Sequence, residues 1–390
     1  MKSLRLNAIG NALEYGYGAL HDPDDLYHSP QWLTMDEEVG IARPFSVVCL
    51  PDNGPPAVAA AWGLIVDDAA FWPFMRIDTV LSNLLEKRKV PQTSSTKKTL
   101  RSLMPNAYLG ALRGGTTRLR VDPALPAGVA RRALGEVLDG VETMARGEGL
   151  RSVACLYVPA EERPLRGVLH ERGYVEFGPT LNVSILRVPL TFEDYVAGLS
   201  WSRRRNVRWE RNKIARAGVE IGLEKLTRDL SEETLPLEAQ LYHKYGHETH
   251  PTEMARVLHH AVIEEYGKAA QVITARSDGA LRAFAAFIQV NNTLYSRDAG
   301  FDYTWQRKLP LYFEVCFYRA IELAIRSGAR QIYYSYAAEE TKVSRGCDLH
   351  PRLTYVKALD RQTSGELLSI HAELANCAPP GASAGKTKAY

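Results

Sequence analysis

The sequence predicts an α/β protein built twice over: two tandem domains, each a mixed central sheet flanked by helices. Three observations predict it. A chain of 390 residues suits two to three domains at about 150 residues each. Its composition, 45% hydrophobic and 24% charged, is ordinary for a globular chain with a sizeable core. A strand–helix–strand–loop–strand layout occurs twice, first over 118–188 and again over 293–358.

The elements follow in order. Phe45–Leu50 and Ala57–Val66 flank the turn residues Asp52-Asn53-Gly54-Pro55-Pro56 and read as a hairpin. Residues 86–101 are basic and rich in Ser and Thr, the composition of an exposed loop. In the first repeat, RLRVDP (118–123) precedes a helix over 127–146, where Leu134, Val137, Leu138 and Val141 share one face. Strands at Ser152–Val158 and Asn182–Val188 complete it. The second repeat runs from TLYSRDAG (293–300) through a helix over 310–327, with Tyr312, Val315, Cys316 and Leu323 on its apolar face. Strands at Gln331–Tyr336 and Leu353–Ala358 follow. Gly147 and Gly328 stop the two helices. The boundary falls near 190, where Thr191 and the acidic Glu193-Asp194 open a new helix. This divides the chain into 1–190, 191–378 and a patternless tail, 379–390, that reads as disordered.

Net charge is +3 and selects no partner. Five scattered cysteines without a CxxC pair suit a reducing compartment. The longest nearly apolar run, Pro56 to Val66, is too short for the about 20 residues of a membrane helix. Glu14 interrupts any signal-like segment. These features predict a cytoplasmic location.

Four segments carry candidate chemistry. WSRRRNVRWERNKIARAG (201–218) has a local charge of +6 from Arg203, Arg204, Arg205, Arg208, Arg211, Lys213 and Arg216 against Glu210, with Trp201 and Trp209 interleaved. Arginine forks and aromatic faces suit phosphates and unstacked bases; a solvated covering helix has the same composition. A second basic group, including Lys87, Lys97 and Arg101, is read either as polyanion surface or as a solvated loop. HKYGHETH (243–250) sets His243 and His247 on one helical face. It lacks the HExxH glutamate and is stopped by Pro251, so it is assigned to substrate or surface rather than metal. Finally, YYSYAAEETKVSRGCDLHPRLTY (333–355) leads a tyrosine strand into a loop with Glu340, Lys342 and Arg345. A carboxylate there suits proton acceptance from an amine, and cations suit a phosphate or oxyanion. An ion-pair network at a domain seam is the alternative. No P-loop, GxSxG elbow or GxGxxG turn occurs.

Phe313-Glu314-Val315-Cys316-Phe317-Tyr318, followed by Glu340, Lys342, Arg345, Gly346 and Pro351, resembles the signature of the peptidoglycan biosynthesis/recognition group. That group comprises N-acyltransferases of the GNAT superfamily related to Fem-type enzymes. Thr341 and Cys347 depart from its pattern. The resemblance implies two GNAT-type domains and an amide-forming transfer from aminoacyl-tRNA, or from an acyl thioester on a carrier protein, to an amine of a small metabolite, peptide or cell-wall precursor. A coenzyme A donor needs backbone N–H groups at a glycine-rich turn, whereas Pro123–Gly128 has one glycine and two prolines and Thr304–Pro310 has no glycine. On this reading Glu340 or Glu314 accepts the amine's proton, and Lys342 and Arg345 bind phosphate or carboxylate. Tyr334, Tyr336, Arg297, His243 and His247 contact substrate. Arg203, Arg204, Arg205, Arg208, Arg211 and Lys213 hold the tRNA or carrier. No metal and no dissociable cofactor is expected. An acyl-coenzyme A-dependent acetyltransferase and a non-catalytic binding module are the two alternatives.

Overall fold

A computed structural model describes residues 1–377, apart from His21, Phe71, Leu112, 247–249, Gln306 and Arg307. His247 and the tail 379–390 therefore lie outside the described residues. The chain forms two compact units, each discontinuous in sequence. One holds Met1–His21, Gly40–Asn182 and the chain from Pro351 through the C-terminal helix; the other holds Asp22–Val39 and Val183–His350.

In the first unit the strand order is Lys2–Leu6, Arg43–Leu50, Ala59–Val66, Asn106–Leu109, Ser152–Pro159 and the Pro351–Ala358 part of the strand Asp348–Ala358. The 45–66 segment forms the expected antiparallel hairpin. Asn106–Leu109 runs parallel to Ser152–Pro159. Helix Ala127–Gly147 buries Leu134, Val137, Leu138 and Val141 against Val47, Ala61 and Val153. Gly140 permits this approach, because a Cβ there would meet the Val47 side chain at 2.7 Å. Gly147 is the last helical residue, and Gly149, at φ +69°, closes the turn that follows it.

Two expectations change here. The counterpart of Thr293–Phe301 is Asn106–Leu109; Leu119–Val121 is a short added strand on Ala59–Val66. The basic stretch 86–101 is a loop only over 88–93. Thr93 caps a helix, Ser94–Arg101, whose Thr99 hydroxyl donates to Glu366 at 2.7 Å.

In the second unit the order is Val183–Arg187, the end of the strand Val175–Arg187, then Gln331–Tyr333, Thr293–Phe301, Ala280–Val290, Ala270–Ser277 and Glu220–Lys225. Among the described residues of this unit, only Gln331–Tyr333 and Thr293–Phe301 are parallel. The helix after Pro310 is interrupted by a π turn at Glu314–Tyr318 before continuing as Arg319–Ser327, closed by Gly328 at φ +73°.

The cut near 190 is not what the chain does. Val183–Arg187 pairs with Gln331–Tyr333 in the second unit, and the second repeat's closing strand pairs with Ser152–Pro159 in the first. Each repeat thus lends its last strand to the other unit. A linear boundary cannot represent that exchange. Thr191 and Asp194 do form a capping box at the start of Phe192–Gly198.

Candidate active site

Strand Thr293–Phe301 positions the candidate site. Its parallel partner accompanies it only from Thr293–Gln331 to Tyr295–Tyr333. Beyond Tyr295, among the described residues, Ser296–Phe301 has no strand on that side. On its other side Ala285 pairs with Ala299 and Phe287 with Ser296, so Ala286 faces both Arg297 and Asp298. This two-against-one bulge re-aims side chains where it occurs.

Both bulge residues reach functional groups. The Arg297 guanidinium stacks 4.5 Å from the Trp32 ring and donates to the Tyr27 hydroxyl at 3.1 Å. Asp298 Oδ2 lies 3.9 Å from His259 Nε2. Glu238 Oε2 stands 3.6 Å from the same nitrogen, and Glu238 Oε1 lies 3.5 Å from His250 Nε2. His259 Nδ1 and Ser231 Oγ are 2.9 Å apart, which fixes the ring. Glu238 and His259 are buried, and Arg297, Asp298, His259 and Thr234 line one narrow cavity. Two carboxylates against one imidazole nitrogen make a proton-accepting group.

The elements explain the placement. Ser231, Thr234 and Glu238 recur at helical spacing on the inner face of Arg228–Lys244, and all three are buried. Glu238, His259, Asp298 and Ser231 are absent from the sequence-based set. The readable signal was this polar stripe at i, i+3, i+7 where an apolar one is the norm. His243 is exposed in the last turn of this helix, which stops at Lys244; His247, its expected partner, lies outside the described residues.

The loop after the tyrosine strand departs from the extended form expected. Residues Glu339–Val343 form a short helix, which leaves Glu340 exposed and Lys342 buried, so the two do not face one cleft. Lys342 Nζ donates to the carbonyls of Tyr334, Ser335 and Tyr336 at 2.7, 3.3 and 2.7 Å. Burial pulls its pKa down to about 8. Ser335, Ala337 and Ala338 have φ between +51° and +68°, a conformation that costs L-residues energy. The ammonium holds this turn together, at the point where Gln331–Tyr333 leaves its parallel neighbour. Tyr334 stacks on Phe317 with ring centroids 4.9 Å apart and donates to the Cys316 carbonyl, so it is a packing residue. Tyr336 is half-buried.

Arg345 is buried and donates to Glu210 Oε1 at 3.1 Å, with its guanidinium 3.8 Å from the Phe313 ring. It anchors the fold rather than a donor phosphate. Glu314 is buried between Arg319 (2.9 Å) and Arg211 (3.4 Å). Burial pushes its pKa up, against the pull of both arginines.

The basic segment forms helix Trp201–Arg216. Val207, Glu210 and Ile214 are buried, while Trp201, Arg204, Arg205, Arg208, Trp209 and Arg216 are exposed and Arg203 is half-buried. Arg211 is drawn inward by Glu314 and Glu322, and Lys213 donates to the Lys308 carbonyl. Of the six cations expected to hold the donor, the outward ones are therefore Arg204, Arg205 and Arg208, edged by Arg203, and Arg216 adds a further exposed charge at the end of the helix. Among the described residues no group of His, Cys, Asp and Glu has metal-binding geometry, and no helix is long and apolar enough to cross a membrane.

Comparison with known proteins fits this architecture. Residues 117–367 match the FemAB-like family model, described as peptidoglycan biosynthesis/recognition. No curated protein matches the chain. Among solved structures, FemX superposes with TM-score 0.61 at 12% identity, covering 95% of this chain and 99% of its own. L-PGS from Bacillus licheniformis gives 0.51 at 11% identity, with coverages of 94% and 96%. A tandem GNAT protein from the clavulanic acid biosynthesis pathway gives 0.50 at 12%, with 92% and 99%. The likeness extends over nearly the whole of each chain, and together with the family match it means that the chain belongs to the FemAB-like family of peptidoglycan biosynthesis/recognition proteins, with a tandem GNAT fold.

Proposed function

We propose that the protein is an amide-forming transferase of the aminoacyl or acyl class. It moves an aminoacyl group from aminoacyl-tRNA, or an acyl group from a carrier-protein thioester, to an amine of a small metabolite, peptide or cell-wall precursor. The observation that carries this reading is the bulged strand Thr293–Phe301, which loses its parallel partner beside the Asp298–His259–Glu238 group. The unpaired strand edge offers backbone groups to an acyl chain. The carboxylate–imidazole group stands where an incoming amine loses its proton.

The amine nitrogen attacks the acyl carbonyl, its proton passes to His259 or Asp298, and the new C–N bond replaces the C–O or C–S bond. The departing hydroxyl or thiol takes up a proton. His259 and Asp298 replace Glu340 as the proton acceptor in this scheme. Lys342 acts as a positioning residue that keeps the two strands apart. Arg204, Arg205 and Arg208 meet the phosphates of the donor.

Purified protein incubated with charged tRNA and candidate amines tests the reading. Nuclease-sensitive amide formation, reduced by about 100-fold or more in Asp298→Asn at unchanged folding, supports it. Nuclease-insensitive product with an acylated carrier protein selects the thioester donor. Turnover with acetyl-coenzyme A and amine alone overturns the choice of donor.

A further inference from the structure

The segment Asp22–Val39 is separated in sequence from the unit to which it belongs, and what it brings there surrounds one side chain of the candidate site. Asn291 Nδ2 donates to the Pro23 carbonyl at 2.7 Å. The Tyr295 hydroxyl donates to the Asp24 carbonyl at 2.6 Å and accepts from the Leu26 amide at 3.2 Å. Ser29 then caps helix Pro30–Glu38 by accepting from the Trp32 amide. Tyr27 and Trp32 are buried as a result and pack edge to face, with ring centroids 5.2 Å apart.

Arg297 lies against both rings. Its guanidinium is 4.5 Å from the Trp32 centroid and 5.8 Å from that of Tyr27, and it donates to the Tyr27 hydroxyl at 3.1 Å. A guanidinium offers several N–H donors, and the ε N–H of this one is sealed from solvent without an acceptor. Among the described residues no carboxylate oxygen lies within 4.0 Å of it. Stacking fixes the plane of the cation but does not neutralise it. The side chain as a whole is half-buried, so part of it stays reachable, and it lines the same cavity as Asp298 and His259. A partly desolvated cation, held in one plane and lacking a counter-ion, suits an incoming oxyanion.

We infer that Arg297, framed by Tyr27 and Trp32, is an anion-binding subsite that selects substrates carrying a carboxylate or phosphate group. Arg297 and Asp298 are neighbours on one bulge, so the anion is held beside the group that receives the amine's proton. Its role in choosing the acceptor rests on the transferase reading; the binding of the anion does not.

Titration of the full chain with N-acetylalanine, N-acetylalaninamide and glycerol 3-phosphate, followed by calorimetry and tryptophan fluorescence, tests the subsite. At least one of the two anions is expected to bind about 10-fold or more tightly than the uncharged amide, the scale of one charge-assisted contact. The tighter anion identifies the group recognised. Arg297→Gln is expected to abolish the preference for an anion, whereas Arg297→Lys, which keeps the charge, retains part of it. Trp32→Phe should remove most of the fluorescence change and keep calorimetric binding. Circular dichroism confirms folding of each variant. Equal binding of anions and amide overturns the inference, as does absence of binding at millimolar anion. An undiminished preference in folded Arg297→Gln, or a fluorescence change that survives Trp32→Phe, places the anion elsewhere and overturns it too. A chain that binds the anion but forms no amide keeps the subsite and loses the transferase reading; amide formation indifferent to an acidic group on the amine does the reverse.

Discussion

Arg345 and Glu210, 135 residues apart in sequence, form a buried ion pair at 3.1 Å. It ties the segment after the tyrosine strand to the inner face of helix Trp201–Arg216. The Tyr318 hydroxyl donates to the same carboxylate, and the Tyr195 hydroxyl donates to the Arg345 carbonyl at 3.1 Å. Four segments of the second unit thus converge on one charge pair.

Breaking one partner of a buried pair leaves the other uncompensated, a loss of about 3–5 kcal/mol. Arg345→Ala and Glu210→Ala are each expected to lower unfolding free energy in urea on that scale. The double variant should lose less than the sum of the two. If Arg345 instead held a donor phosphate, Arg345→Ala would raise KM and leave stability near the parent's.

Lys342 gives stability a pH signature. Its ammonium has a pKa of about 8 when folded, against a usual value of 10.5, because burial disfavours the charge. Between about pH 8 and 10.5 the unfolded chain therefore binds more protons at this site, and stability from this group rises with pH. Below about pH 8 both states are protonated and the contribution is flat. Denaturation of the parent and of Lys342→Met at pH 7 and pH 9.5 should show the difference between them shifting in the parent's favour at the higher pH. A pH-independent difference would exclude a titrating buried amine.

The division between what the sequence disclosed and what it hid follows from the range of the interactions. The helix over 127–146 was legible because its apolar periodicity is local. The repeat was legible for the same reason. Strand exchange was not, since Gln331–Tyr333 pairs with a strand that begins at Val175, and no local pattern records such a partner. At the site, Arg297 stood out by type on a strand. Asp298 and His259 meet only because a bulge and two helices bring them together. Lys342 and Arg345 were noticed as charges, but their direction depended on a five-residue helix that sequence spacing read as extended. The motif was visible; which side chains faced inward was not.

That direction sets the expectation for Glu340. Exposed on a short helix, it has little to lose when its charge is removed. Glu340→Gln is expected to keep turnover within about 2-fold, in contrast to the about 100-fold loss typical of a positioned acid–base group. Measuring Glu340→Gln beside Asp298→Asn under identical conditions ranks the two carboxylates. A collapse of turnover in Glu340→Gln at normal stability would move the proton acceptor back to that loop.

Helix Trp201–Arg216 separates two kinds of arginine. Arg204, Arg205 and Arg208 point into solvent, whereas Arg211 is held by Glu322 at 2.8 Å and Glu314 at 3.4 Å. Cations that meet phosphates release counterions, and each contact contributes about 0.9 to the slope of log affinity against log salt for duplex nucleic acid. Replacing Arg204, Arg205 and Arg208 by Ala is therefore expected to weaken binding of charged tRNA and to flatten that slope by about two to three. The melting temperature should stay near the parent's, because exposed side chains contribute little to stability. Arg211→Ala should do the reverse. It strips Glu314 of one of its two arginines in a buried setting, so unfolding free energy falls while the salt slope is retained. Filter binding across a salt series, paired with thermal unfolding of both variants, reads the two effects separately. An unchanged slope in the triple variant would reduce the helix to a solvated cover over Val207 and Ile214.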